Sequence, residues 1–357
     1  IANQGVGLVV ALALLLPMAA GFFDFSVGAL TAASSVVAAA ALSQFRLPLV
    51  VAVVMAIIFG LLIGTVIGAL VSYLKMNAFI ATLGVATLLG GAIFAYTGGL
   101  QITSGIPAEL TDFGSKSIVG VPVIALAAAV VALVVWYVMS QTPFGRRLFA
   151  IGANPVAAEL TGTRVARQRM LAFAASGTIA GIAGVLLLAR QGAATSDNGM
   201  SMLFPALTAV LLSTIVIDVG RPSVLGTVIG ILFVAVSVSG LTLLGTPAWV
   251  SQVFNGAALL IAVGFARLSV LWRRAGAVRA PQGTSCPLLP RSYATCAASP
   301  PSSRPGSRSA PSTQSDWSSC PSRAVPSPGA SAGRCCPAVG TGRGLSAPTT
   351  SRWRRDT

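Results

Sequence analysis

PLVVAVVMAIIFGLLIGTVIGALVSYL, residues 48–74, runs from Pro48 to Leu74 without a charged side chain. A bilayer-spanning helix needs about 20 mostly apolar residues, so this stretch alone predicts a membrane crossing. Working outward on the same criterion gives further spans at 5–22, 26–43, 77–97, 121–141, 171–190, 201–217, 223–244 and 248–266. The first two are parted only by Phe23-Asp24-Phe25, and 201–217 is short enough to be re-entrant. Alternating apolar and polar positions between turns are absent, which excludes a β-barrel. Composition agrees: 55% of the 357 residues are hydrophobic, 9% are charged, and mean hydropathy is +0.84. A globular chain carries about a quarter charged residues, so a coiled coil, a disordered regulator and an ordinary cytosolic enzyme are excluded for most of the chain. The expected fold is all-α, a polytopic transmembrane helix bundle.

Two pieces are distinguishable, a transmembrane domain at 1–272 and a tail at 273–357. The first carries eleven Lys and Arg against six Asp and Glu; the tail carries twelve Arg against two Asp. The tail lacks Lys, Ile, Phe, Met, Asn and Glu and is built mainly from Ser, Pro, Ala, Arg, Gly and Thr. Such a composition buries too little apolar area to offset chain entropy, which predicts disorder. The abrupt switch after Trp272 reads as an out-of-frame continuation of a GC-rich gene. Arginines with no aromatic interleaving do not make a nucleic-acid surface, so no nucleic-acid partner is expected. All five cysteines, Cys286, Cys296, Cys320, Cys335 and Cys336, fall in this tail with no C-x-x-C pair, and neither zinc site nor disulfide framework is expected. At the other end the chain opens on Ile1 and enters an apolar run at once, with no basic region of a signal peptide. A further helix upstream is expected.

Loop charges set the orientation. With nine alternating spans, Lys75, Arg146, Arg147, Arg164, Arg167, Arg169, Arg221, Arg267, Arg273 and Arg274 share one side, against Arg46, Lys116 and Arg190 on the other. The bias places the C-terminus in the cytoplasm and Ile1 outside. Gly60, Gly64 and Gly68 fall four apart on one helix face, as do Gly226 and Gly230, a spacing that lets backbones approach closely. Gly-Thr-Val-Ile-Gly occurs at both 64–68 and 226–230, each followed by a Leu-Gly, at 83–84 and 244–245. These matches fit two related halves in parallel repeat, or packing glycines with no repeat.

Histidine is absent and the apolar part has no cysteine, which removes His acid–base chemistry, thiolate chemistry and most transition-metal sites. No catalytic, metal or cofactor-binding residue is expected. Asp24 and Asp218 are the acids nearest the membrane interior, too few for a proton relay. Asp24 is read as the cap of the helix beginning at Ser26, and Asp218 as facing water near Arg221. No Gly-x-x-x-x-Gly-Lys-Ser/Thr occurs, so the chain does not hydrolyse nucleotide itself. Asn77, Phe79, Thr82 and Asn255, polar or aromatic within spans, are candidates for lining a solute route, with ordinary interhelical packing as the competing role.

The most informative polar segment is PFGRRLFAIGANPVAAELTG, residues 143–162. It reads as a turn followed by a short helix, with Asn154 as N-cap, Pro155 in the first turn and Gly162 at the end. Set between two spans among arginines, it is either a docking element or a positive-inside anchor.

Gly145, Arg146 and Arg147, followed by Gly152, Asn154, Ala157, Ala158, Glu159 and Gly162, resemble the cytoplasmic coupling loop of ribose/xylose/arabinose-type permeases of ATP-binding-cassette importers. Phe23-Asp24-Phe25-Ser26-Val27-Gly28 looks like that family's Asp-Leu-Ser-Val-Gly segment. Ala78 to Gly84, with Tyr96-Thr97-Gly98-Gly99, is similar to its Phe-Ile-x-Thr-Leu-Gly helix and the following Gly-Gly, and Ser223 to Gly230 also matches. The resemblance covers residues 1–270. It departs at the family's first helix, which is missing, and at Ser213 to Val219, where the family is Gly-rich.

The resemblance implies a non-enzymatic translocation subunit in the cytoplasmic membrane carrying a simple sugar. It also implies an ATPase subunit docked on the coupling loop, an extracytoplasmic sugar-binding protein, and a second copy or a related permease, all in membrane lipid. An ion- or proton-coupled secondary transporter is the alternative; the lack of His and the scarcity of buried acids count against it.

Overall fold

The computed structural model describes residues 2–118, 120–195, 198–217 and 220–278. The expectations for Asp218, the cysteines and the tail from 279 onward lie outside the described residues. Everything described falls in the unit Ile1–Thr284. Helices α1 (Ala2–Ala19), α2 (Ser26–Ser43), α3 (Leu49–Ser72) and α4 (Ala78–Thr97) form the first half of the bundle. Then come α5 (Ala108–Ser115), a hairpin of β1 (Ser117–Ile118) and β2 (Val121–Pro122), and α6 (Val123–Gln141). Two short helices follow, α7 (Pro143–Ala153) and α8 (Pro155–Leu160), before α9 (Val165–Gln191), α10 (Asn198–Val216), α11 (Val224–Leu243) and α12 (Ala248–Val278).

Six helices, α2, α3, α4, α6, α9 and α11, are long and apolar enough to cross a membrane. Shorter apolar runs fill Gln4–Ala19, Ser201–Val216 and Trp249–Gly264. Each expected span therefore falls on one of these nine helices. Two boundaries move. Helix α9 starts at Val165 instead of 171, because Arg167, Gln168 and Arg169 lower hydropathy without breaking a helix, being good helix formers. Helix α12 continues to Val278 and so crosses the compositional break at Trp272.

The bundle is built around α1. Val9, Val10, Ala11, Leu12, Ala13 and Leu15 have no exposed surface, and α1 touches α6, α9, α10 and α11. Alanine-rich α2 is also buried nearly all round and packs on α3, α4, α9 and α10. Helix α10 repeats this in the other half, packing on α11, α12 and α1.

Small residues set the closest approach. A Cβ built on Gly60 would lie 2.3 Å from the Gly177 carbonyl oxygen, one on Gly64 2.5 Å from that of Phe173, and one on Gly68 2.8 Å from that of Met170. Helices α3 and α9 thus run antiparallel, backbone against backbone. The paired Gly-Thr-Val-Ile-Gly motifs both act as packing devices, at places that are not equivalent. One sits in the last turns of α3 and faces α9; the other opens α11, with Gly230 against Ala209 of α10. Leu83-Gly84 lies inside α4, whereas Leu244-Gly245 follows the end of α11. A Gly-x-x-x-Gly spacing is selected wherever two backbones must touch, so its recurrence reports contact and not common position.

The end of α3, the start of α9 and the segment before α11 share one end of the bundle, which carries Lys75, Arg146, Arg147, Arg164 and Arg221. This is called the basic end below. Helix α1 finishes there at Ala19, residues 20–25 form an elbow, and α2 turns back into the bundle.

Candidate functional site

Two neighbouring features gather the polar chemistry at the basic end, the α7–α8 excursion and the α1–α2 elbow. Helix α7 was read as a turn. Its helicity comes from packing: Leu148 and Ile151 are buried while Arg146 and Arg147 are exposed, the stripe of an amphipathic surface helix. Gly145 lies against the Met139 backbone, and Arg146 Nη1 donates to the Gln141 carbonyl at 3.5 Å.

Asn154 caps α8, its Oδ1 accepting from the amides of Val156 and Ala157 at 3.1 Å each, with Pro155 in the first turn. Both assignments need only local rules, and both hold. Ala158 is buried with Ile151 and Val165; Ala157 and Glu159 are exposed. Gly162 takes φ +80° and its amide donates to the Glu159 carbonyl at 2.9 Å. Val156 and Leu160 project with 66% and 85% of their surface exposed.

The two features touch at Gly152. A Cβ there would lie 2.3 Å from the Ala19 carbonyl oxygen, so only glycine lets α7 end against the last turn of α1. Beyond it, the Phe22 ring stands 6.3 Å from that of Phe173 and 4.8 Å from the Arg169 guanidinium, a cation–π arrangement. Asp24 is buried. Its Oδ1 accepts from the amide of Ser26 at 3.0 Å and from the Ser26 hydroxyl, and its Oδ2 accepts from the Ser176 hydroxyl at 3.5 Å. The formal N-cap position of α2 belongs to Phe25, which makes no side-chain cap. Asp24 stands one residue earlier and holds the first amide of the helix. Ser176, Phe22 and Phe173 lie outside the sequence-based candidates, and Arg169 figures there only as a loop charge, because each meets its partner only through the tertiary fold.

The four route candidates do not form one cluster. Asn77 caps α4 by accepting from the Phe79 amide at 2.9 Å; Thr82 is buried and its hydroxyl donates to the Phe79 carbonyl at 3.3 Å. The Phe79 ring, half exposed, meets Phe25 edge-on at 5.2 Å. These three thus adjoin the elbow. Asn255 lies apart on α12, which packs on α10 and α11; its carbonyl accepts from Thr208 Oγ1 at 3.4 Å, and its own Oδ1 is buried without a partner. Asn77, Phe79 and Thr82 thus share the start of α4, with the Phe79 ring against Phe25, while Asn255 stands on another helix. A cavity of about 550 Å³ opens under the elbow, walled by Phe22, Phe23, Phe149, Gly152, Thr214 and Arg221 among others. No group of three or more His, Cys, Asp or Glu placed to hold a metal ion occurs among the described residues.

A family model described as branched-chain amino acid transport system / permease component matches residues 4–263. The chain belongs to this permease family. As a permease component it is a multi-pass membrane protein and a transport subunit, not an enzyme. It is 37% identical to the ribose import permease protein RbsC of Bacillus subtilis over 244 residues, 68% of this chain and 76% of the relative. The autoinducer 2 import system permease protein LsrD of Yersinia enterocolitica is 34% identical over 260 residues, 71% of this chain and 78% of the relative. The probable ABC transporter permease protein YphD of Escherichia coli is 38% identical, covering 71% and 76%. No solved structure matches significantly.

In this permease the Asp24 cluster is expected to hold the elbow in shape. Asp24→Ala strands three buried donors, each costing about 1–3 kcal/mol, and should lower the melting temperature of the solubilised permease by several degrees. Asp24→Asn keeps one acceptor and should lose less. Equal melting of both variants and the parent, followed by thermal shift in detergent, would remove the structural role.

Proposed function

We propose that this permease is the membrane-spanning subunit of an ATP-driven importer that carries a simple sugar of the ribose or xylose class into the cell. An ATPase subunit docks on α7–α8, an extracytoplasmic binding protein delivers the sugar, and a second copy or a related permease completes the path. The observation that carries this reading is the α7–α8 excursion. Two apolar side chains, Val156 and Leu160, stand almost bare beside Glu159 on a helix fixed by the Asn154 cap. Exposed apolar side chains on a rigid, capped element mark a docking surface better than a solvated anchor. The positive-inside bias supports a cytoplasmic setting for this basic end. The names of the relatives favour a sugar or a comparably small polyhydroxylated solute over an amino acid.

The test is uptake by the permease reconstituted with an ATPase and a binding protein of a sugar importer, with labelled ribose and xylose as probes. Glu159→Arg reverses a charge on the docking face. Gly162→Pro demands φ near −65° where the chain has +80° and removes the amide that bonds to Glu159. Each should cut ATP-dependent uptake by about tenfold or more, the scale of losing one interface anchor, with membrane yield unchanged. Unaltered uptake in both would remove the docking assignment. Uptake without ATP would favour the secondary-transporter alternative.

A further inference from the structure

Helices α6 and α11 meet only lightly, leaving a groove of about 280 Å³ at the basic end, to whose wall α7 contributes Phe149. Its floor is Leu15 of α1, and its sides are Met139 of α6 and Val224 of α11. The rim is apolar and open to the outside of the bundle: Trp136 is 42% exposed, Ile217 46% and Leu225 60%. In a bilayer such a cleft cannot hold water against apolar walls, so hydrocarbon must fill it.

The mouth has a different character. Arg221 lines it with the hydroxyl-bearing residues Ser140 and Ser223. Arg146 is tethered to the Gln141 carbonyl one residue beyond Ser140, and Arg147 is exposed beside it. No carboxylate among the described residues pairs with these arginines. Arg221 is the charged side chain among the described residues that line the mouth, which makes it cationic. The start of α11 adds the positive end of a 20-residue helix. An apolar slot that ends in cationic and hydroxyl groups, with an amphipathic indole at the boundary, is complementary to one amphiphile in particular.

We propose that the α6–α11 groove binds an anionic phospholipid, one acyl chain lying along Leu15 and Met139 and the phosphate held at Arg221. The indole of Trp136 then lies against the lipid near its glycerol. Neither the ATPase reading nor the identity of the sugar enters the argument.

The experiment uses the full chain with Trp249, Trp272, Trp317 and Trp353 replaced by Phe, in nanodiscs that contain either dibrominated phosphatidylglycerol or dibrominated phosphatidylcholine. Bromine quenches indole at contact, so quenching of Trp136 reports the lipid in the groove. Phosphatidylglycerol should be preferred by about fivefold, the size expected for one basic residue at the membrane surface. Arg221→Gln should remove the preference, and Lys116→Gln at the opposite end should keep it. Native mass spectrometry of the unmodified permease gives a second readout, retained phosphatidylglycerol that falls in Arg221→Gln. Equal quenching by both lipids, a preference that survives Arg221→Gln, or no quenching by either because a second copy covers the groove would each overturn the proposal.

Discussion

Gly177→Leu is expected to abolish recovery of folded permease. The position faces Gly60 across the α3–α9 interface, and a Cβ on Gly177 would lie 2.3 Å from the Gly60 carbonyl oxygen and 2.9 Å from the Gly64 Cα. These are backbone atoms on a helix that cannot flex away locally, so the whole of α3 would have to retreat. Overpacking of a tight interior costs about 1–3 kcal/mol and more where backbone must move. Here the retreat would also part the stacked contacts at Gly64–Phe173 and Gly68–Met170. Against a net stability of about 5–15 kcal/mol, that loss should reduce monodisperse protein by at least about tenfold. Gly84→Leu is the matched control, since nothing lies within 4 Å of a Cβ built at that position of α4. Size-exclusion profiles of fluorescently tagged variants decide the matter. Equal peaks for both would mean that the α3–α9 approach is not what holds the bundle.

The same glycines show what sequence can and cannot disclose. Spans were legible because crossing a bilayer is a demand on length and apolarity, both local properties, and the nine stretches reappear as helices. The Asn154-Pro155 start of α8 was legible for the same reason: a cap needs only its own next three residues. Helix α7 was missed because its two glycines and two arginines read as a turn, while its stability comes from Leu148 and Ile151 buried against other elements. Asp24 was assigned to the start of α2, but its bond to Ser176 spans 152 positions and leaves no trace in either local pattern. Residue type groups Asn255 with Asn77, Phe79 and Thr82 but does not tell which helices are neighbours. Of the two readings of the recurring Gly-Thr-Val-Ile-Gly, close packing is the one whose contacts are seen at Gly64 and Gly230.

Gly152→Ala should uncouple transport while leaving the permease folded. The added methyl would sit 2.3 Å from the Ala19 carbonyl oxygen, where the end of α7 bears directly on the end of α1. Unlike Gly177, this residue lies at the exposed edge of the bundle, so α7 can move outward without unpacking a helix pair. The displaced part is the elbow that follows Ala19. Phe22 on it is held by Phe173 and Arg169, and Asp24 two residues on holds the first amide of α2. A push on α7 therefore reaches α2, and through Phe25 the Phe79 ring of α4, by contacts already in place. If ATP-driven motion enters at α7–α8, breaking its seat on Ala19 should cut uptake by about tenfold or more, a coupling loss of 1–2 kcal/mol. ATP hydrolysis by the assembled transporter and membrane yield should stay close to the parent. Gly240→Ala, near the far end of α11 with nothing within 4 Å of an added Cβ, serves as the comparison and should transport normally. Loss of hydrolysis together with uptake would instead place Gly152 in the ATPase contact itself, and normal uptake would show that the α7–α1 seat carries no motion.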